Sequence, residues 1–163
     1  MRVERLRRGE AIAGGSAVAL LVFLYGLTWY AVSGPLRQTL AINLHQTTSY
    51  TGWTGLTHLR WLLLITALLA LALTYFQMTS RAPALPVVLA VIVTVLGGLS
   101  TLVLIYRVLI NTPASTLDQR AGAYLGLLAA AGIAYGGFAS LREESGSDPA
   151  VLEIETVRLP AHT

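Results

Sequence analysis

The chain has 163 residues, of which 55% are hydrophobic and only 12% are charged, whereas about a quarter of the residues are charged in an ordinary soluble protein. It contains no cysteine, which excludes disulfides, thiolate nucleophiles and iron–sulfur clusters. The net charge of +3 comes from arginines spread along the chain, so it indicates membrane threading and not nucleic-acid binding.

Four apolar segments make up most of the chain. Each is long enough to cross a bilayer as a helix, which takes about 20 residues. They are Ala11–Val32, Thr57–Gln77, Ala84–Tyr106 and Ala121–Leu141. The predicted fold is therefore an all-α membrane protein, a four-transmembrane-helix bundle over residues 11–142 with a long first outer loop. Residues 1–10 precede the bundle as a cytoplasmic segment, and residues 143–163 follow it as a mobile cytoplasmic tail.

The N-terminal arginines determine the predicted orientation. Arg2, Arg5, Arg7 and Arg8 precede the first segment, which favours a cytoplasmic N-terminus. A cleaved signal peptide is the alternative, but the apolar stretch exceeds the roughly 7–15 residues of a signal core. Trp29-Tyr30 also suits an interfacial anchor at the end of an uncleaved span. Four spans then place both termini in the cytoplasm and the protein in the plasma membrane.

The predicted outer ends of the spans collect the unusual polar side chains, which are Arg60, Arg107, Arg120, Asp118 and His58. The favoured interpretation is that each arginine extends to the interface and anchors its own helix. The alternative is that three guanidinium groups near one membrane face form a site for a ligand, a lipid head group or a partner's carboxylate.

Asp118 is the only acidic residue between Glu10 and Glu143, and it falls in the predicted outer turn Asn111–Gln119. We expect its carboxylate to pair with Arg60, Arg107 or Arg120, because charges attract more strongly near the head groups than in bulk water. Capping of the fourth helix by Asp118 is the competing expectation.

Small residues form a stripe along the fourth segment. At 100° per residue one narrow face carries Gly122, Gly126, Ala129, Ile133, Gly136 and Ser140, with Gly132 beside it. Such a stripe lets another helix backbone approach closely, as in small-xxx-small interfaces. Packing within one bundle and packing in a homo-oligomer both fit the pattern.

Little in the spans predicts catalysis, because they contain no Asp, Glu or His below their outer edge to activate a nucleophile. Paired haem ligation by His45 and His58 would need both rings in one cavity, and His45 lies in a loop. We therefore predict no metal, no cofactor and a non-enzymatic component that packs with lipids or a partner membrane protein through its outer face. The alternative is a small oligomeric transporter or channel subunit, with a shared axis lined by Thr66, Thr74, Thr94 or Ser100.

Several motifs in the last three spans carry a resemblance. They are Trp53 before the second span, the turn Arg81–Pro86, the stretch Ala90–Leu96, and Arg120–Gly126 running on to Gly136-Gly137 and Arg142. In these the chain resembles small tetraspan membrane proteins of unknown function from GC-rich Gram-positive bacteria. The resemblance implies a four-span bacterial membrane protein and brings no activity with it.

Overall fold

A computed structural model describes residues 8–32, 34, 48–79, 84–110 and 117–145. The helices are α1 (Arg8–Gly26), a single turn α2 (Gly52–Gly55), α3 (Leu59–Thr79), α4 (Ala84–Ile105) and α5 (Ala121–Ser145). α4 continues into a π-helical turn, Tyr106–Ile110. Residues 1–7, most of the predicted first loop and the tail beyond residue 145 lie outside the described residues.

Four of these helices are long and apolar enough to cross a membrane. The spans are Arg8–Gly26, Leu59–Thr79, Val88–Ile110 and Ala121–Glu143. The prediction of four membrane-length apolar helices, as in a multipass membrane protein, is confirmed. Only 28% to 39% of the residues in the most apolar stretch of each span are buried, so much of their apolar surface faces outwards. Helices that are apolar on all sides suit an environment of lipid.

The four long helices form a ring. α1 packs on α5 and α3, and α4 packs on the same two helices from the other side. The α1–α5 contact is the most extensive of the four, and the α3–α4 contact is the least extensive. α1 and α5 approach closely because Gly136 leaves its space to the backbone of Gly9 and Ala13. Gly97 of α4 gives similar access to the backbone of Ala134 in α5.

A three-stranded antiparallel sheet adds to the expected all-helical fold. Its central strand β1 (Thr28–Val32) pairs with β2 (Ser49–Thr51) on one edge and with β3 (Leu117–Gln119) on the other. The apolar run predicts a first helix that continues to Val32, but α1 ends at Gly26. The residues that follow are β-branched or aromatic for the most part, and such residues fit a pleated strand.

The sheet ties together one end of the bundle, which we call the sheet end. α1 and α4 finish there, and α3 and α5 begin there. The Arg120 backbone N–H, one residue before α5, donates to the Trp29 carbonyl over 2.8 Å. The side-chain amide of Gln119 donates to the Val108 carbonyl over 2.6 Å and so joins β3 to the π-helical turn. The predicted outer turn 111–119 therefore ends as a strand that contacts both β1 and the π-helical turn.

Candidate functional site

Trp29 fills the centre of the sheet end. Its side chain is fully buried, and its indole N–H donates to the Phe23 carbonyl over 2.8 Å. The ring occupies the space that side chains at Gly52, Gly122 and Gly126 would take. Two glycines of the predicted packing stripe therefore accommodate an aromatic ring of the same chain.

The other two glycines of that stripe face α1. A side chain at Gly132 would meet the Ser16 hydroxyl, and a side chain at Gly136 would meet the backbone of Ala13 and Gly9. All four predicted packing glycines thus contact α1 or β1 within one protomer.

Tyr30, next to Trp29, is also fully buried. Its hydroxyl has no hydrogen-bond partner in the part of the chain that the structure describes. Burial raises the pKa of the Tyr30 phenol above its ordinary value of 10.0, and the positive charge of Arg107 partly opposes the rise. The sequence predicts Trp29 and Tyr30 at the membrane interface, but both side chains are buried in the hydrophobic core of the protein.

Three other aromatic residues lie at the surface of the sheet end, and we call Tyr25, Trp53 and Trp61 the aromatic cluster. The Tyr25 and Trp53 rings stack with centroids 5.0 Å apart. Trp53 and Trp61 meet edge to face at 5.5 Å. Tyr25 and Trp61 are about half exposed, at 50% and 52%.

Arg60 is held by this aromatic cluster. Its guanidinium carbon lies 5.0 Å from the centre of the Trp53 ring and 5.7 Å from that of Trp61, both within cation–π range. One guanidinium N–H donates to the Trp53 carbonyl over 3.5 Å. Of the three arginines predicted to bind a ligand, Arg60 is the one that the aromatic rings already engage.

Arg107 and His58 share a cavity between the sheet ends of α3 and α4, which we call the α3–α4 cavity. Its volume is about 420 Å³. The lining residues are Leu56, Thr57, His58, Leu59, Val103, Tyr106 and Arg107. Arg107 is half-buried and its side chain forms neither a hydrogen bond nor an ion pair with any residue that the structure describes. The structure therefore brings together two of the predicted site residues, one in the turn before α3 and one in the π-helical turn.

Arg120 lies apart from that pair. It lines a second cavity of about 410 Å³ with Leu27, Thr28, Ala31, Ser49, Ala121 and Gly122. This second cavity lies against the sheet and the start of α5. The three predicted arginines thus occupy three different environments at the sheet end.

Asp118 does not join these arginines. It is exposed in β3, where it is the register partner of Ala31, and among the described residues it forms no ion pair with Arg60, Arg107 or Arg120. α5 begins at Ala121, so Asp118 also lies too far back to be its N-cap. Among the described residues, Asp118 therefore forms neither the predicted ion pair nor the predicted cap. Its backbone lies in β3, which pairs with β1.

The mid-span hydroxyls considered for a shared transport axis bond within the protomer. Thr66 donates to the Leu62 carbonyl over 2.8 Å and lies 3.0 Å from the Ser100 hydroxyl, between α3 and α4. Thr74 and Thr94 donate to carbonyls of their own helices over 3.0 and 2.7 Å.

Two further observations bear on cofactors and buried charge. Within the described ranges, no three His, Cys, Asp or Glu residues are grouped so as to hold a metal ion, and His45 lies outside those ranges. Glu10, at the end of the bundle away from the sheet, is only 1% exposed, and its backbone carbonyl accepts a bond from Thr74. In the sequence Glu10 marks the start of the predicted membrane domain, and the hydropathy pattern does not indicate that Glu10 is buried.

Comparison with known proteins adds no family. No protein-family model, no curated protein and no solved structure matches this chain.

Proposed function

We propose that this chain is a non-enzymatic integral protein of the plasma membrane that packs with lipids through its sheet end. The aromatic cluster around Arg60 carries the proposal. Trp and Tyr concentrate where the head groups meet the hydrocarbon, and a half-exposed aromatic group beside an arginine suits that layer. The cluster lies at the end of spans whose outward surface is apolar.

The proposed threading places the sheet end outside the cell. α1 runs towards the sheet and α5 runs away from it, so both helices have their other ends on the opposite side of the bundle. The arginines that precede α1 favour a cytoplasmic position for that opposite side. Both termini are then cytoplasmic.

Among the described residues, no observation favours the alternative of a small oligomeric transporter or channel subunit. The hydroxyls that could line a shared axis bond within their own protomer. An oligomeric pathway would have to recruit other side chains.

Threading can be tested with single cysteines, because the natural chain has none. We expect Ser49→Cys to react with a membrane-impermeant maleimide on intact cells, and Thr163→Cys to react only after permeabilisation. Labelling of both cysteines from the same side contradicts the proposed threading.

Lipid packing can be tested by fluorescence quenching in bilayers brominated at a shallow or a deep position of the acyl chain. We expect the shallow label to quench more, and Trp61→Phe to remove most of that quenching because Trp61 is half exposed. Trp29→Phe is the matched control, since a fully buried indole contributes little. Equal quenching of the natural chain by the shallow and the deep label would mean that the aromatic cluster does not lie at the head-group layer.

A further inference from the structure

We infer that the α3–α4 cavity binds the phosphate group of an anionic phospholipid, with Arg107 and His58 holding the phosphate and the apolar wall holding the first part of an acyl chain. The inference rests on the proposed function, because it requires the sheet end to lie at the head-group layer. It adds a ligand class and a defined site to general lipid packing.

The first step is the state of Arg107. A guanidinium that has lost part of its water shell is stable only when an anion or hydrogen-bond acceptors replace that water. Arg107 is half-buried and has no such acceptor among the described residues. Arg60, by contrast, contacts two indole rings and the Trp53 carbonyl, and only its buried Nε–H has no partner among the described residues. Arg107 is therefore a half-buried arginine that lines the α3–α4 cavity without a hydrogen-bond acceptor from the described residues, whereas Arg120 is exposed.

The second step is the shape of the site. His58 lies in the turn before α3, and Arg107 lies in the π-helical turn after α4. The two residues therefore line the cavity from two different helical segments. A guanidinium presents several N–H donors in a fork that matches phosphate oxygens, and an imidazole adds one more. The volume of about 420 Å³ falls in the range of about 300–1,000 Å³ that is usual for ligand sites.

The third step separates a lipid from a free phosphate ion. Thr57, His58 and Arg107 lie at the sheet ends of α3 and α4, with Leu56 and Leu59 beside them, and Val103 lies one turn further into the span than Arg107. A phosphate beside Arg107 and His58, with hydrocarbon running inwards past Val103, fits this lining. The cavity also lies between the least extensively packed neighbours of the ring, where a chain can enter without parting tightly packed helices.

Titration of the detergent-purified full-length chain with phosphatidylglycerol, followed by native mass spectrometry, tests the inference. We expect a saturable site in the natural chain and at least about tenfold weaker binding in Arg107→Gln, the usual loss for a charge-assisted hydrogen bond. Arg120→Gln is the matched control, because it removes the same charge from the same end of the bundle but from the second cavity. Its affinity is expected to stay close to that of the natural chain.

Two further arms identify the ligand. Val103→Phe, which fills the apolar part of the cavity and keeps both polar residues, is expected to weaken lipid binding while leaving the melting temperature nearly unchanged. Inorganic phosphate is expected to compete only weakly, since it cannot use the apolar wall. Effective competition by inorganic phosphate, together with unchanged lipid binding in Val103→Phe, would overturn the assignment to a lipid.

Equal losses in Arg107→Gln and Arg120→Gln would overturn the site, because they would reveal a general attraction of the positive end for anions. The absence of any saturable phosphatidylglycerol binding by the natural chain would overturn it as well. Quenching of Trp61 by shallow brominated lipid is a separate measurement. The proposed function stands or falls on that quenching, independently of the cavity.

Discussion

The Trp29 ring occupies the space beside Gly126 in which a side chain would otherwise lie. This relationship joins a strand at the end of α1 to the first turns of α5, and the neighbouring Gly122 receives another edge of the same ring. A large aromatic group can be fully buried at the end of a narrow bundle only because α5 presents no side chain there.

We predict that Gly126→Ala destabilises the protein. The added methyl group would overlap the Trp29 ring, which is fixed by its bond to the Phe23 carbonyl, so the expected loss is about 1–3 kcal/mol. Gly98→Ala in α4 is the control, because nothing lies within 4 Å of a methyl group at that position. Thermal unfolding in detergent measures both variants, and equal melting temperatures would contradict the role given to Gly126.

Gly136 and Gly132 of α5 differ in what an added side chain would meet, which is backbone at Gly136 and a side chain at Gly132. At Gly136 an added Cβ would lie 2.5 Å from the Ala13 backbone nitrogen and 2.7 Å from the Gly9 carbonyl oxygen, and neither can move without shifting α1. At Gly132 the obstacle is the Ser16 side chain, which can rotate away. We therefore expect Gly136→Ala to lower the melting temperature more than Gly132→Ala. The opposite order would show that α1 and α5 adjust freely to each other.

Tyr30 gives a prediction for alkaline pH. Its pKa is higher in the folded state than the ordinary 10.0, so the folded state holds the proton to a higher pH than the unfolded chain does. The free energy of unfolding therefore falls as the pH rises above about 10. Tyr30→Phe has no proton to lose, and we expect a smaller decrease of stability with pH. Near neutral pH it should be as stable as the natural chain, since the hydroxyl it lacks has no partner among the described residues. An unchanged alkaline decrease, measured by unfolding at a series of pH values, would rule out Tyr30 as its source.

Asp118→Asn should leave the melting temperature nearly unchanged. The carboxylate is exposed and no described arginine pairs with it, while the strand pairing of β3 uses the backbone. Exposed charges of this kind contribute about 0–1 kcal/mol. A clear loss of stability that Arg107→Gln or Arg120→Gln makes no worse would restore the ion pair expected from the sequence.

The four long helices could be predicted from the sequence because their signal is local. Each is a continuous run of apolar residues of bilayer length, and no distant partner is needed to recognise it. The glycine stripe of α5 was likewise visible in the helical periodicity, although the identity of its neighbours was not.

The sheet could not be predicted in the same way. Thr28–Val32 continues the apolar run of α1 without a break in hydrophobicity, and its partners β2 and β3 are only three residues long. Strand pairing depends on residues distant in the chain, which a hydropathy pattern does not contain. The burial of Trp29 and Tyr30, the separation of Asp118 from the arginines and the juxtaposition of His58 with Arg107 all follow from this pairing or from the ring of helices.

The order of the strands has a consequence for biosynthesis. β1 is made first, yet both of its partners come later, and β3 leaves the ribosome only after three of the four spans. Until then β1 has an open edge, and the pocket for Trp29 is incomplete because α5 supplies two of its glycines. A chain stopped before residue 117 therefore inserts as three helices with an exposed strand and an unburied indole. Synthesis of the last span is therefore the step that pairs the open edge of β1 and completes the space around the Trp29 ring.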